Sequence, residues 1–197
     1  MSAAATEEQD ATDMTRLAAG HGAALNDLME RHGERLFHYL IRCLQNEDDA
    51  ADLAQETFVR VYQHRTKFRP NSKFSTWLYT IATNLVKSRF RSRTRRPEIS
   101  LDAENDETGR SLRETLPAQV LTPSERLQAE ERADAVRRAV AALSEDLRTP
   151  LLLAEYENRS QAEIAEILGC TAKAVEMRIY RARQQLRASL SKLLEAA

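Results

Sequence analysis

Apolar residues in the first half of the chain recur three and four residues apart, the spacing of an amphipathic helix. They do so over residues 25–44, from about residue 47, and over residues 74–86. The repeating positions are Leu25, Leu28, Met29, Leu36, Leu40, Ile41, Leu44; Ala50, Leu53, Ala54, Phe58, Val61, Tyr62; and Phe74, Trp77, Leu78, Ile81, Leu85, Val86. This pattern predicts three helices that share one apolar interior and form a domain over residues 21–96. Residues 1–20 are expected to be a flexible N-terminus.

Turn and cap residues set the expected limits of the third helix. The segment FRPNSK before it contains proline, asparagine and serine and is typical of a loop. Ser75 or Thr76 is predicted to cap the helix, and Pro97 to stop it.

Capping signals divide the second half of the chain into further helices. Thr122, Pro123 and Glu125 have the order of an N-cap, a proline at the first helical position and a capping-box acid. That helix is predicted to end near Leu143, and another is expected over roughly residues 145–157. Pro150 would be tolerable only near the first turn of the latter.

The last two predicted helices form a helix-turn-helix. Ser160 and Glu163 have capping-box spacing at the start of SQAEIAEIL, and Gly169 stands where a left-handed residue ends a helix. Thr171 then caps KAVEMRIYRARQQLR, whose outward cations are expected to be Lys173, Arg178, Arg181 and Arg183. Such a helix suits the major groove of duplex DNA. An ordinary helical hairpin is the alternative.

The composition favours an all-α fold, with only five glycines and five prolines among 197 residues and no alternating β-branched run. Residues 97–121 are acidic and have little periodicity, so we predict a flexible linker there. The expected architecture is two small helical domains, residues 21–96 and 122–197, with the helix-turn-helix in the second.

Charge is segregated along a chain whose formal net charge is only −1. Residues 43–59 and 98–107 each hold five acids and no lysine or arginine, whereas residues 87–96 hold six cations and no acid. A second basic stretch covers residues 178–192. This pattern indicates surfaces that meet different partners, and solvated helix faces are the alternative.

Aromatic residues stand beside the first basic stretch. Phe68, Phe74, Trp77 and Tyr79 surround the polar loop, and the polar neighbours are Asn84, Lys87, Arg89 and Arg91. Stacking surfaces combined with cations are what unpaired nucleic acid requires. A core position for Phe74 or Trp77 is the alternative.

Several other kinds of site are not expected. Cys43 and Cys170 are far apart and lack CxxC spacing, which argues against a disulfide framework or a zinc site. The acids Asp48, Asp52 and Glu56 lack the Glu-x-x-His pairs of helical di-metal sites. We therefore expect no metal, no cofactor and no enzymatic activity. A polar N-terminus and the lack of an 18-residue apolar run predict a soluble, cytoplasmic protein.

Three segments together resemble the extracytoplasmic-function (ECF) class of bacterial sigma factors, which retains only sigma regions 2 and 4. They are DAADLAQETFVRVY, FSTWLYTIATN and EIAEILGCTAKAVEMRIYRARQQL. The resemblance covers about residues 25–96 and 125–192. It implies an alternative sigma factor that binds core RNA polymerase, recognises the −35 and −10 promoter elements and melts DNA.

The resemblance also implies roles for individual residues. Contacts to the clamp helices of the polymerase β′ subunit would come from Asp52, Gln55, Glu56 and Phe58. The −10 element, including a flipped base, would contact Phe68, Arg69, Asn71, Phe74, Trp77, Asn84, Lys87 and Arg91. The −35 duplex would contact Lys173, Glu176, Met177, Arg178, Tyr180 and Arg181. An anti-sigma factor is an expected further partner.

Two other functions fit part of the sequence. A stand-alone helix-turn-helix regulator would recognise its DNA without core polymerase. A pure protein-interaction module would leave the basic run at residues 87–96 without a role and would show no salt-dependent DNA binding.

Overall fold

The computed structural model describes residues 3–69, 71–95 and 123–191 of the chain. Regular structure in these ranges is helical throughout, which confirms the predicted all-α fold. The helices are α1 (Ala3–Ala18), α2 (Ala24–Leu44), α3 (Glu47–Gln63), α4 (Phe74–Arg95), α5 (Pro123–Ala141), α6 (Glu145–Glu155), α7 (Gln161–Leu168) and α8 (Ala172–Ser189), with a 3-10 turn at Arg65–Lys67. The predicted linker, 97–121, and the predicted cap at Thr122 lie outside the described residues.

The segment Ala3–Ala18 forms a helix, so the expectation of flexibility was wrong for these residues. Met14 and Leu17 of α1 are buried in the core. The buried carboxylates of Asp10 and Asp13 accept hydrogen bonds from Arg31 of α2 at 2.9 and 2.5 Å. Ion pairing thus anchors α1, which has few large apolar residues. For that reason the spacing of apolar residues in the sequence gives little indication of this helix.

Helices α2, α3 and α4 pack around a common apolar interior, as predicted. Asn46 caps α3, since its side-chain oxygen accepts from the Asp49 backbone N–H at 2.8 Å. Helix α4 begins at Phe74, so Ser75 and Thr76 lie buried inside its first turn and neither is the cap. Because Ser75 and Thr76 are enclosed by neighbouring helices, their hydroxyls belong to the interior of the fold.

The capping signals of the helix-turn-helix form as predicted. The Ser160 N–H donates to Glu163 Oε2 at 2.9 Å, and the Glu163 N–H donates to Ser160 Oγ at 3.3 Å. Gly169 ends α7 with φ of 64°, a left-handed conformation that favours glycine. Thr171 Oγ1 accepts from the Ala174 N–H at 3.2 Å and starts α8.

Pro150 lies deeper in its helix than expected. It is the sixth residue of α6, and the helix continues to Glu155. Its ring is buried together with Leu151, Leu152 and Leu153. The free energy gained by burying this apolar surface offsets the loss of the backbone hydrogen bond that a proline cannot donate.

The two halves of the chain pack against each other. Helix α7 lies on α4, and α6 lies on α2. Buried apolar residues from both halves form one continuous cluster. The sequence pattern had predicted two small helical domains, and it contained no signal for this contact between them.

Candidate nucleic-acid and polymerase interfaces

One exposed face of α3 combines polar side chains with large hydrophobic ones. Asp52 and Gln55 are exposed, and Val59 and Tyr62 follow on the same face with 42% and 45% of their surface exposed. The spacing of three and four residues aligns all four along one stripe of the helix. We call these four residues the α3 stripe.

Two predicted contact residues of α3 lie elsewhere. Phe58 is only 5% exposed and belongs to the core, so its side chain does not face a partner in this structure. Glu56 is half-buried and accepts from Arg60 Nε at 2.8 Å. Sequence reasoning missed Val59 and Tyr62, and it placed Tyr62 on the interior face beside Val61.

Three aromatic rings form a cluster at the start of α4. The ring centroids of Phe68 and Trp77 are 5.4 Å apart. The ring centroid of Phe74 lies 6.2 Å from that of Phe68 and 6.3 Å from that of Trp77. Phe74 is 1% exposed and also packs against His32, whereas Phe68 and Trp77 are half-buried at the surface. Phe74 is therefore the buried base of the cluster, and its predicted direct contact with DNA does not fit this conformation.

Polar residues border this aromatic cluster. Arg69 and Asn71 are exposed in the loop before α4. Ser72 holds that loop, because its N–H and its hydroxyl both donate to the Arg69 carbonyl oxygen, at 2.9 and 2.7 Å. Tyr79 is buried on the opposite side and faces the second half of the chain.

A polar face continues along α4. Asn84 and Arg91 are exposed and Lys87 is half-buried, and their spacing of three and four residues puts them on one side of the helix. Arg89 lies off this face and pairs with Asp49 at 3.0 Å. A cleft beside the face is lined by Lys87, Phe90, Arg91, Leu143, Ser144, Glu145 and Arg148.

The outward face of α8 carries most of the predicted −35 contacts. Lys173, Glu176, Met177, Tyr180 and Arg181 are exposed, and their spacing forms a continuous stripe. The Lys173 ammonium donates to both carboxylate oxygens of Glu176, at 3.0 and 2.9 Å. The charges of Lys173 and Glu176 therefore cancel each other on this exposed surface of α8.

Two cations of α8 lie off that stripe. Arg178 is half-buried, and its Nη1 lies 4.0 Å from Cys170 Sγ in the turn. Arg183 pairs with Glu155 of α6 at 2.5 Å. In this structure Arg178 packs against the turn, which separates it from the other predicted −35 residues.

Comparison with known proteins identifies the two halves. Residues 28–96 match the model of Sigma-70 region 2, and residues 133–186 match that of Sigma-70 region 4. The chain belongs to the ECF class of RNA polymerase sigma factors. These two regions contain all three surfaces described above.

Relatives match nearly the whole chain. The RNA polymerase sigma-H factor of Pseudomonas aeruginosa is 33% identical over 196 residues, which cover 98% of this chain and 99% of the relative. The ECF sigma-E factor of Haemophilus influenzae is 34% identical, with 91% and 94% covered. SigW of Bacillus subtilis is also 34% identical, with 88% and 92% covered.

Solved structures share the fold. CnrH in complex with the cytosolic domain of CnrY has a TM-score of 0.65 and 26% identity, covering 95% of this chain and 98% of CnrH. The sigma factor RpoE in complex with the anti-sigma factor NepR from Bartonella quintana has a TM-score of 0.61 and 24% identity, covering 84% and 96%.

The chain is thus an alternative sigma factor that initiates transcription through regions 2 and 4. The stand-alone regulator is not favoured, since the relatives match both regions. Sigma factors as a class regulate transcription and are generally not enzymes. In the part of the chain that the structure describes, no helix has the length and apolar character needed to cross a membrane.

Proposed function

We propose that the α3 stripe is the surface that docks on core polymerase. It offers the carboxylate of Asp52 and the amide of Gln55 beside the exposed side chains of Val59 and Tyr62. Apolar groups rimmed by polar ones are typical of a protein interface. The Arg65 guanidinium lies 4.4 Å from the Tyr62 ring and holds that ring in place.

The aromatic cluster at the start of α4 is proposed to hold the unpaired −10 strand. Phe68 and Trp77 present rings at the surface, and Phe74 supports them from below. Stacking on an aromatic ring contributes about 1–3 kcal/mol per base, which offsets a base-flipping cost of a few kcal/mol. The polar groups assigned to bases and phosphates are Arg69, Asn71, Asn84, Lys87 and Arg91.

The exposed stripe of α8 is proposed to read the −35 duplex. Arg181 and Lys173 supply donors to phosphates or guanine edges. Tyr180 adds a hydroxyl whose oxygen accepts a hydrogen bond from Gln184 Nε2 at 2.9 Å. Met177 offers an apolar contact, and Glu176 an acceptor. Arg178 is a less direct participant, since it packs on the turn.

An anti-sigma factor is proposed as the regulatory partner of this chain. CnrH and RpoE, which share its fold, were each solved with a protein partner. We also infer that the protein acts in the cytoplasm, where core polymerase and promoters are found, and that it has no catalytic activity of its own.

One observation supports the proposal: a single chain carries a surface cluster of aromatic rings bordered by cations on α4, and a separate helix, α8, with Lys173 and Arg181 exposed. Co-purification with bacterial core polymerase, followed by run-off transcription from a pooled promoter library, tests it. We expect co-elution and transcripts that share one −35/−10 pair. DNA binding of equal strength without core polymerase would contradict it.

A further inference from the structure

The support of the aromatic cluster extends below Phe74 to a histidine. The imidazole ring of His32 on α2 lies 5.1 Å from the Phe74 ring, centroid to centroid, and the two ring planes are inclined by 56°. Only 13% of the His32 side chain is exposed, and Phe74 is buried. His32 therefore forms the layer beneath the ring that supports Phe68 and Trp77.

A buried carboxylate of α1 fixes the orientation of this imidazole. His32 Nε2 lies 2.8 Å from Asp10 Oδ2, and the other oxygen of Asp10 accepts from Arg31 Nε at 2.9 Å. An ionised carboxylate only accepts hydrogen bonds, so His32 carries its hydrogen on Nε2 and donates it to Asp10. The ring cannot turn away from Phe74 without leaving a buried carboxylate oxygen unpaired, which is unfavourable.

Helix α1 also borders the loop that carries the exposed −10 residues. It lies against α4 and against the 3-10 turn Arg65–Lys67, which directly precedes Phe68. At the other end of the loop, the Lys73 ammonium lies 3.0 Å from Glu7 of α1. Both of these side chains are more than 40% exposed, so their ion pair contributes little by itself. Contacts from α1 thus lie on both sides of this loop.

We propose that His32, oriented by Asp10, is a positioning residue for the unpaired −10 strand. This inference rests on the proposed role of the aromatic cluster in holding that strand. In it, His32 does not touch DNA. It keeps Phe74 in place, and Phe74 keeps the Trp77 indole at the surface in the orientation that a base requires for stacking. Base affinity then depends on a ring that is ordered before DNA arrives.

Anchoring of α1 is the other role open to these side chains. Asp10 and Asp13 both accept hydrogen bonds from Arg31, so both carboxylates hold α1 on α2. Asp13 also accepts from Arg16 at 3.0 Å, whereas the bond to His32 comes from Asp10. The two carboxylates are therefore a matched pair. Substitution of either weakens the anchoring of α1, but only a change at Asp10 or His32 frees Phe74.

Acrylamide quenching of tryptophan fluorescence tests the geometry in the free protein. Trp77 is the only tryptophan of the chain, so the signal belongs to the cluster. His32→Gln removes the ring but keeps an N–H for Asp10. It should raise the quenching constant about 1.5-fold or more, because Phe74 shifts into the space that the ring leaves.

Asp13→Asn is the control for this measurement. It should lower the unfolding temperature but leave the quenching constant at the parent value, since His32 keeps its bond to Asp10. Thermal unfolding verifies that both variants are folded. A parent-like constant in His32→Gln, or an equal rise in the two variants, would refute the positioning role.

Holoenzyme binding to two DNA probes tests the functional consequence. One probe is a fork DNA with an unpaired −10 strand, and the other is a duplex with the −35 element alone, both taken from a promoter selected in the run-off experiment. His32→Gln should lower affinity for the fork DNA about threefold or more, since part of the base stacking is lost, and leave affinity for the −35 duplex unchanged. Asp13→Asn should match the parent on both probes. Equal losses on both probes would indicate a general defect and contradict the proposal.

A double-mutant cycle tests whether Asp10 acts through His32. Asp10→Asn leaves one acceptor oxygen for two donors and should lower fork-DNA affinity about twofold or more. Adding this change to His32→Gln should cause no further loss, because there is then no imidazole ring to orient. Additive losses would show that Asp10 acts independently of His32 and would refute the pairing.

Trp77→Ala separates this inference from the proposed function on which it rests. Weakened fork-DNA binding in Trp77→Ala, with parent-like binding in His32→Gln, would refute the role of His32 alone. Parent-like binding in Trp77→Ala would refute the −10 role of the cluster, and the role of His32 with it. We expect both variants to be weakened, Trp77→Ala more strongly.

Discussion

The rings of Phe68 and Trp77 lie 5.4 Å apart at the surface, with Phe74 buried beneath both. In the role proposed for this cluster, a fixed support lets a half-exposed ring accept a base without first becoming ordered. The cost of ordering is met when the domain folds, so base stacking need only offset the cost of unpairing.

Trp77→Ala should reduce promoter opening by about 10-fold or more, because about 1–3 kcal/mol of stacking is lost per base. Permanganate footprinting of the −10 region measures this. Trp77→Phe, which keeps an aromatic ring, is the control and should retain most of the opening. Normal opening in Trp77→Ala, or loss of the −35 footprint to the same extent, would contradict the melting role.

Tyr62→Ala and Asp52→Ala should weaken binding to core polymerase, because both residues lie on the α3 stripe and are exposed. Glu30→Ala removes an exposed acid from α2 and serves as the control. Affinity for core polymerase, measured by titration, should fall several-fold in the first two variants only, with unfolding temperatures close to that of the parent. Parent-like affinity in both stripe variants would remove the α3 stripe from the interface.

Arg181→Ala should weaken −35 binding and lower the salt slope of holoenzyme–promoter affinity by about 1, if the lost contact is to phosphate. Arg178→Ala should have a smaller effect, because Arg178 is half-buried against the turn. The −35 footprint of holoenzyme over a range of salt concentrations compares them. A larger effect from Arg178 would reverse the assignment of the two arginines.

Stability should fall in acid through Glu163. Burial favours the neutral form of this carboxyl, but hydrogen bonds from Ser160 and the ion pair with Lys73 outweigh it and lower its pKa from 4.5 to about 2. Since the pKa is lower in the folded state, the unfolded chain binds the proton more readily. The stabilisation is complete above about pH 4.5 and is lost as the pH falls toward 2.

Denaturant unfolding of the parent and of Glu163→Gln, measured from pH 6 to pH 3, checks this prediction. The difference in free energy of unfolding between the two proteins should shrink as the pH falls. A constant difference across this range would show that Glu163 has no depressed pKa.

Leu17→Ala should destabilise the protein by about 2–5 kcal/mol, the usual cost of truncating a buried leucine. Leu17 is fully buried although it lies in a segment that the sequence predicted to be flexible. Leu127→Ala, at an exposed position of α5, should change stability by about 0.5 kcal/mol or less. If the two variants have equal stability, α1 does not contribute to the core.

Local signals predicted much of the fold. The capping box of Ser160 and Glu163, the left-handed Gly169 and the cap at Thr171 involve residues close in the sequence, so the pattern was sufficient to predict them. Prediction was weaker at helix faces. Adjacent residues such as Val61 and Tyr62 point in different directions, and only the packing of α3 shows that Val61 is buried and Tyr62 exposed.

In the candidate sites, too, the sequence predicted the local motifs but did not predict which side chains are buried. Motif resemblance brought together the α8 stripe and the residues around Trp77, but it also included Phe58 and Phe74, which are buried. A phenylalanine beside a binding loop has the same sequence signature whether it touches the ligand or supports another ring. Burial by helices distant in the sequence decides between the two roles.

The sequence by itself determined an all-α chain, its helix-turn-helix and its membership of the sigma factors, because periodicity, caps and motifs are local properties. Only the tertiary structure decided that α1 is anchored by buried ion pairs and that Glu157 meets Tyr79. These contacts join residues 18 to 78 positions apart. Such partners are selected by complementary shape and charge once the helices have packed, and no local pattern in the sequence encodes that choice.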